Sequence, residues 1–143
     1  SLRAAMRDIP YVAKIGHVPN IDAANDLLDA LGSSINALAM TNSVATHVRD
    51  GDSLVFDGQR RGICGEAIRD ASIEQTQLFS DLIRDRRLNI QVIGVGGIKR
   101  ANDVRDYLAA GAKACHVATA AMVDPGIGIR IRQEFAELPK NSG

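Results

Sequence analysis

Hydrophobic positions along the chain follow two alternating spacings. Continuous apolar runs at Tyr11–Ile15, Ile35–Met40, Ile90–Val95 and Ala114–Thr119 alternate with longer stretches whose apolar residues recur every three to four positions. The first kind predicts strands and the second predicts helices. Ile21, Ala24, Leu27, Leu28 and Leu31 share one helical face, and Gly32 is placed to end that helix. Ile68, Leu78, Leu82 and Ile83 predict a second helix from Ala67 to about Arg86. Val104 and Leu108 are the expected inward positions of a third helix that Gly111 closes, and a last helix carries Ile127, Ile131 and Phe135 inward. Ser1–Asp8 reads as the end of a helix stopped by Pro10. Between the second strand and second helix lies a polar segment with turn signals at Asp50-Gly51 and Asp57-Gly58.

Near-continuous apolar strands that alternate with helices belong to a parallel sheet covered by helices. The fold class is therefore α/β, and the 143 residues form one partial domain of four βα units. A closed eight-stranded barrel typically takes about 250 residues. Four units make half of such a barrel or a small open sheet, and the half-barrel is the favoured reading. Its outer strands, Tyr11–Ile15 and Ala114–Thr119, would be unpaired edges, expected to pair with a missing half or with a second copy. The opening Ser1-Leu2-Arg3, without methionine, reads as a fragment, a processed product or a subunit.

Composition excludes more than it selects. Lysine plus arginine equals aspartate plus glutamate at 17 each, which gives no argument for nucleic acid or an anionic membrane as partner. No apolar run approaches the roughly 18 residues of a membrane span, and no signal-peptide pattern opens the chain. Cys64 and Cys115 show no metal or redox spacing, so a cytoplasmic setting and no metal are expected.

The chemistry concentrates at the ends of the last two strands. Val92-Ile93-Gly94-Val95-Gly96-Gly97-Ile98 runs an apolar strand into a glycine pair, and Val117-Ala118-Thr119-Ala120 ends the next strand in small residues. Adjacent strand ends of this kind in a βα barrel form a phosphate site. A residue without a Cβ lets backbone amides close around phosphate oxygens, and the following helix adds its positive end. A dinucleotide fingerprint fails, because Lys99 stands where its last glycine should be, and no Gly-Lys-Ser or Gly-Lys-Thr of a P-loop occurs. The bland alternative is that Gly96 and Gly97 only make a tight turn.

Five pieces in order carry a resemblance: Val12-Ala13-Lys14-Ile15, Thr41-Asn42-Ser43, Gly62-Ile63-Cys64-Gly65, Ile93-Gly94-Val95-Gly96-Gly97-Ile98, and Gly111-Ala112 leading to Ala118-Thr119-Ala120. Together, over roughly Ile9 to Phe135, they resemble the C-terminal half of the barrel of FMN-dependent dihydroorotate dehydrogenases. The resemblance implies that Lys14 contacts the flavin ring, where a cation stabilises the negative charge of the reduced form. It implies that Asn42 hydrogen-bonds a dihydropyrimidine substrate, with Ser43 in place of the usual threonine; an amide offers both donor and acceptor to a pyrimidine edge. Gly62 and Gly65 match a glycine loop over the flavin, into which Arg61 and Cys64 intrude. Gly96, Gly97, Ala118 and Thr119 match the FMN phosphate site. The implied function is oxidation of dihydroorotate to orotate in pyrimidine biosynthesis. The base that such a reaction needs is expected in the other half of the barrel, so no catalytic residue is assigned within this chain.

Other polar residues attract plainer readings. Cys64 reads as a replacement within the glycine loop, His17 as a solvated loop residue and His116 as a satisfied barrel residue. Asp50, Asp52 and Asp57 lack the spacing of a calcium loop and are placed on a lid. Arg84-Asp85-Arg86-Arg87 reads as a solvated helix end. Two rival functions stay open: a phosphate-binding barrel lyase or isomerase, which needs neither Lys14 nor Asn42, and a non-catalytic half-barrel that assembles with a partner.

Overall fold

The computed structural model describes residues 9–139, so the expected helix end at Ser1–Asp8 lies outside the described residues. Four strands, β1 (Val12–Lys14), β2 (Ala37–Met40), β7 (Gln91–Val95) and β8 (Ala114–His116), form one parallel sheet in the order β1-β2-β7-β8. Helices follow each of them: α1 (Ile21–Leu31) after β1, α2 (Arg69–Asp85) after β2, α3 (Ala101–Ala109) after β7, and α4 (Thr119–Val123) with α5 (Ile127–Glu137) after β8. This is the expected α/β arrangement of four βα units, with each strand a residue or more shorter than its apolar run. Thr119, assigned to the last strand by hydrophobicity, instead opens α4.

Helix α1 begins and ends where its sequence says it should. The Asn20 side chain accepts from the Ala23 N–H at 2.9 Å, and Gly32, at φ +46°, donates its N–H to the Leu28 carbonyl. The segment between β2 and α2 is more ordered than a polar loop. Strand β3 (Val44–His47) pairs antiparallel with β6 (Arg60–Ile63), and β4 (Arg49–Asp50) pairs with β5 (Ser53–Leu54) around the Gly51 turn. A short 3-10 turn, Gly65–Ile68, leads from this ribbon into α2.

Register shows which face of the sheet is covered. Residues paired across a parallel ladder point to the same side. Leu38, Met40 and Val92 pack into a cluster with Ala24 and Leu28 of α1 and Phe79 and Ile83 of α2. A second cluster joins Ile98, Tyr107, Ala112, Ile127 and Ile131. On the opposite face Val12 and Lys14 of β1 and Ala114 and His116 of β8 are exposed, Val12 by 44%. Helices cover the clustered side of the sheet, as the half-barrel reading expects. The outer strands turn their alternate residues to solvent.

Two inward assignments are corrected. Leu108 is 39% exposed, and its neighbour Tyr107 is buried in its place. The face is rotated because Asp103, also buried, forms ion pairs beneath the helix and takes the place of an apolar contact. Phe135 is also 39% exposed, because the cluster that covers Ile127 and Ile131 does not reach the next turn of α5. Arg86 is not merely solvated: its guanidinium reaches Asn25 (3.2 Å) and Asp29, tying the end of α2 to α1.

Candidate functional site

One cavity of about 800 Å³ opens at the C-terminal ends of the four parallel strands. Lys14 at the end of β1, Asn42 after β2, Gly65 before α2, Gly96 and Gly97 after β7, and Ala118 and Thr119 after β8 all line it. Every βα unit contributes, so residues scattered from 14 to 119 in sequence become neighbours. Gly62 and Ser43 do not line the cavity. Ser43 directly precedes β3 and Gly62 lies in β6 opposite Ala45; a Cβ on Gly62 would sit 3.0 Å from Ser43 Oγ, so the glycine allows a close approach to that side chain.

The glycine pair is required for a reason that the sequence did not reveal. Gly97 sits at φ +68°, and a Cβ there would lie 2.6 Å from the Arg69 Cβ and 3.1 Å from its Cα. A Cβ on Gly96, at φ +133°, would lie 2.6 Å from the Ser72 Oγ. Both glycines therefore admit the first turn of α2 against the loop, in backbone conformations that L side chains rarely adopt. The N–H groups of Gly97, Ile98, Thr119 and Ala120 donate to no group among the described residues. Gly65, at φ +76°, lies against Thr119, with a would-be Cβ 3.4 Å from Thr119 Cγ2.

Several residues that hold this site were not singled out from the sequence. The Tyr107 hydroxyl donates to the Gly96 carbonyl at 2.7 Å, and burial pushes its pKa up to about 12. Gln75, buried on α2, accepts from the Val18 N–H (2.7 Å) and donates to the Gly16 carbonyl (3.0 Å), fixing the loop after Lys14. Thr41 lines the cavity fully buried, with its hydroxyl oxygen unpartnered. Only its place beside Asn42 could have signalled it, because a polar residue at a strand end looks like an ordinary turn.

Charge at the rim is paired. Lys99 Nζ meets Glu66 Oε2 at 2.7 Å, and the ammonium holds the Glu66 carboxyl below its ordinary range. Arg130 pairs with Asp124, whose carboxyl is likewise lowered by that hydrogen bond. Lys14 makes no ion pair among the described residues, so its positive charge is available inside the cavity. His116 proves to be an exposed residue of the cavity wall, a correction to its reading as a satisfied barrel residue, because β8 is an edge strand whose alternate residues face the open side. Cys64 is exposed on the same wall, whereas burial pushes the Cys115 thiol up to about 11. His17 stays outside the cavity and exposed, donating its backbone N–H to the Ser43 carbonyl. Among the described residues no group of three His, Cys, Asp or Glu could hold a metal ion, and no helix is long and apolar enough to cross a membrane.

Comparison with known proteins gives a consistent result. The family described as Dihydroorotate dehydrogenase matches residues 3–138. The dihydroorotate dehydrogenase of Dictyostelium discoideum is 28% identical over 129 residues, covering 87% of this chain and 35% of that protein. The catalytic subunit of dihydroorotate dehydrogenase B (NAD(+)) from Desulforudis audaxviator is 27% identical over 146 residues, covering 94% and 43% respectively. In fold, the chain matches the crystal structure of the Eimeria tenella dihydroorotate dehydrogenase in complex with ferulenol, with a TM-score of 0.72 at 19% identity over 88% of this chain and 33% of that one. The chain thus spans about two fifths of the length of the curated relatives it matches, and its four βα units are part of a TIM-barrel architecture. By the match of nearly its whole length, this chain belongs to the dihydroorotate dehydrogenase family.

Proposed function

We propose that this chain is the FMN-binding portion of a dihydroorotate-oxidising barrel. The observation that carries the reading is the single cavity into which Lys14, Asn42, Gly65, Gly96, Gly97, Ala118 and Thr119 converge from four separate βα units. The group fits the residues present. A volume of about 800 Å³ lies in the range of roughly 300–1,000 Å³ usual for small-molecule sites. Unpartnered N–H groups at Gly97, Ile98 and Thr119 suit an anion, and the orphaned buried hydroxyl of Thr41 suits a polar ring edge.

When bound, FMN supplies hydride acceptance. The chain's own part is to bind, orient and tune. The N–H groups after β7 and β8 would receive the phosphate by hydrogen bonds, with Thr119 adding a hydroxyl. Lys14 would place positive charge beside the ring, favouring its reduced anionic form. Asn42 would present donor and acceptor to the dihydropyrimidine. The proton leaving the substrate needs a base from outside this set, supplied by the remaining barrel strands, which would pair with the exposed edges β1 and β8. Gly62 and Ser43 act one step back, outside the cavity lining, where the glycine lets the ribbon close on Ser43.

Titration of the chain with FMN, followed by flavin fluorescence and visible absorbance, tests the reading. Saturable binding that Lys14→Ala weakens supports it. No binding at millimolar FMN overturns it in favour of a phosphate-binding lyase or isomerase. Binding without dihydroorotate oxidation, even with the remaining barrel supplied, would identify a non-catalytic holder.

A further inference from the structure

Beneath the glycine pair lies a second, smaller cavity lined by Glu66, Arg69, Asp70, Arg100, Asn102 and Asp103. Its centre is an ionic lock. Asp103 is 3% exposed and uses both carboxylate oxygens: Oδ1 accepts from Arg69 Nε at 2.7 Å, and Oδ2 accepts from the backbone N–H of Lys99 (2.9 Å) and Arg100 (3.1 Å). Arg69 is held in turn by Asp70 (2.9 Å) and Asp106, and its side-chain stem is the surface on which Gly97 rests. Loop 96–100 is thus fastened at three points. Tyr107 holds the Gly96 carbonyl, Arg69 supports Gly97, and Asp103 holds the N–H groups of Lys99 and Arg100. Between these points the N–H groups of Gly97 and Ile98 have no partner among the described residues.

We propose that Asp103, locked by Arg69, is a positioning residue for the phosphate of a bound mononucleotide. It acts through the loop and touches neither ligand nor cavity: the larger cavity's lining includes Gly97, Ile98 and Lys99 but neither Arg69 nor Asp103. The physical logic is division of labour among backbone donors. A carboxylate accepts well from several N–H groups at once. By absorbing the two N–H groups at the end of the loop, Asp103 fixes the direction of the preceding peptides. The guanidinium makes burial of that carboxylate tolerable and prevents it from turning toward the anion. Because Arg69 is bound by three aspartates, the lock carries no surplus positive charge. At this loop the anion would therefore be met by aligned N–H dipoles and not by the Arg69 guanidinium.

The inference rests on the flavin reading, and its test separates the two. FMN and riboflavin differ only in the phosphate, so the ratio of their dissociation constants isolates the phosphate end. Asp103→Asn keeps the shape but offers one acceptor oxygen in place of two. It should lower FMN affinity at least about tenfold while riboflavin affinity changes less than about twofold, because a charge-assisted hydrogen bond is forfeited at the loop alone. Arg69→Met keeps the stem under Gly97 and should act in the same direction, covering the case in which Asp103→Asn fails to fold. Asp81→Asn removes an exposed ion pair with Arg84 on the same helix, outside the lock, and should leave the ratio unchanged. Equal weakening of FMN and riboflavin, or no change in either, overturns the positioning role. If the wild type binds neither flavin, inorganic phosphate is titrated while the Gly97 and Ile98 amide signals are followed by NMR. Phosphate-dependent shifts that Asp103→Asn abolishes keep the lock and remove the flavin. Absence of shifts in the wild type overturns both.

Discussion

Gly94→Ala, a single added methyl group, tests how tightly the third βα unit is packed. A Cβ at Gly94 would lie 2.3 Å from Tyr107 Cδ1, 2.8 Å from Cγ and 3.0 Å from Cε1. Carbon atoms in ordinary contact stand roughly 3.5–4.0 Å apart, so the ring must retreat by more than about 1 Å. It has little room, because Tyr107 is fully buried against Ile98, Ala112, Ile127 and Ile131. Overpacking of this kind costs about 1–3 kcal/mol. Displacing the ring also strains the hydroxyl's bond to the Gly96 carbonyl, which contributes about 1 kcal/mol. Against this, alanine in a strand is favoured over glycine by roughly 0.5–1 kcal/mol. The net expectation is a loss of about 1–3 kcal/mol, read from the midpoint of urea unfolding. Repeating the substitution in a Tyr107→Leu background, where the ring is gone, should reduce the loss to near zero. Equal stability of Gly94→Ala and wild type, or the same loss in both backgrounds, would refute the steric argument.

Four shorter predictions follow from other contacts. Gln75→Leu strands the Val18 N–H and the Gly16 carbonyl, and should destabilise by about 1–3 kcal/mol in the same unfolding assay. At alkaline pH, Tyr107 and Cys115 keep their protons longer when folded than when unfolded, since burial raises them to about 12 and about 11 from ordinary values of 10.0 and 9.0. Their contribution is whole below about pH 9 and is lost as pH rises toward 12, so the unfolding temperature should fall over that window and fall less in Cys115→Ala. A thiol reagent at pH 8 should modify exposed Cys64 at once and half-buried Cys115 more slowly; two equally fast thiols would contradict the partial burial of Cys115. Finally, the unpaired edges β1 and β8 should make the isolated chain associate, which sedimentation would show as concentration-dependent mass, and a monodisperse monomer would count against it.

The elements most legible in the sequence are those whose cause is local. The spacing from Ile21 to Leu31 and the stop at Gly32 mark α1 from residues close in sequence, and the apolar runs give all four parallel strands. What escaped has a distant cause. Asp103 is buried on α3 through its ion pair with Arg69 on another helix, Tyr107 rather than Leu108 is turned inward, and Ser72, Gln75 and Thr76 are buried on α2 although they are polar. The ribbon of residues 44–63 reads as loop because its strands are short and its antiparallel partners carry no apolar alternation. At the site, the residue types were legible and seven of nine named positions share the cavity, but the reason for the glycine pair was not. Gly96 and Gly97 look the same in sequence whether a ligand or a helix presses on them.

The placement of the ribbon also has a kinetic side. Strand β2, buried along its whole length, pairs with β7 in the register Ala37 to Gln91, and everything from β3 to α2 lies between them in sequence. Closing such a loop costs only about 0.6 kcal/mol more for each doubling of its length, so lengthening or shortening the ribbon should change stability little. Folding speed responds differently, since rates fall as contacting residues grow further apart along the chain. The segment between β2 and α2 is therefore where this sheet can accept new sequence cheaply at equilibrium, and the effect of such an insertion would be felt in the time the central strands take to find each other.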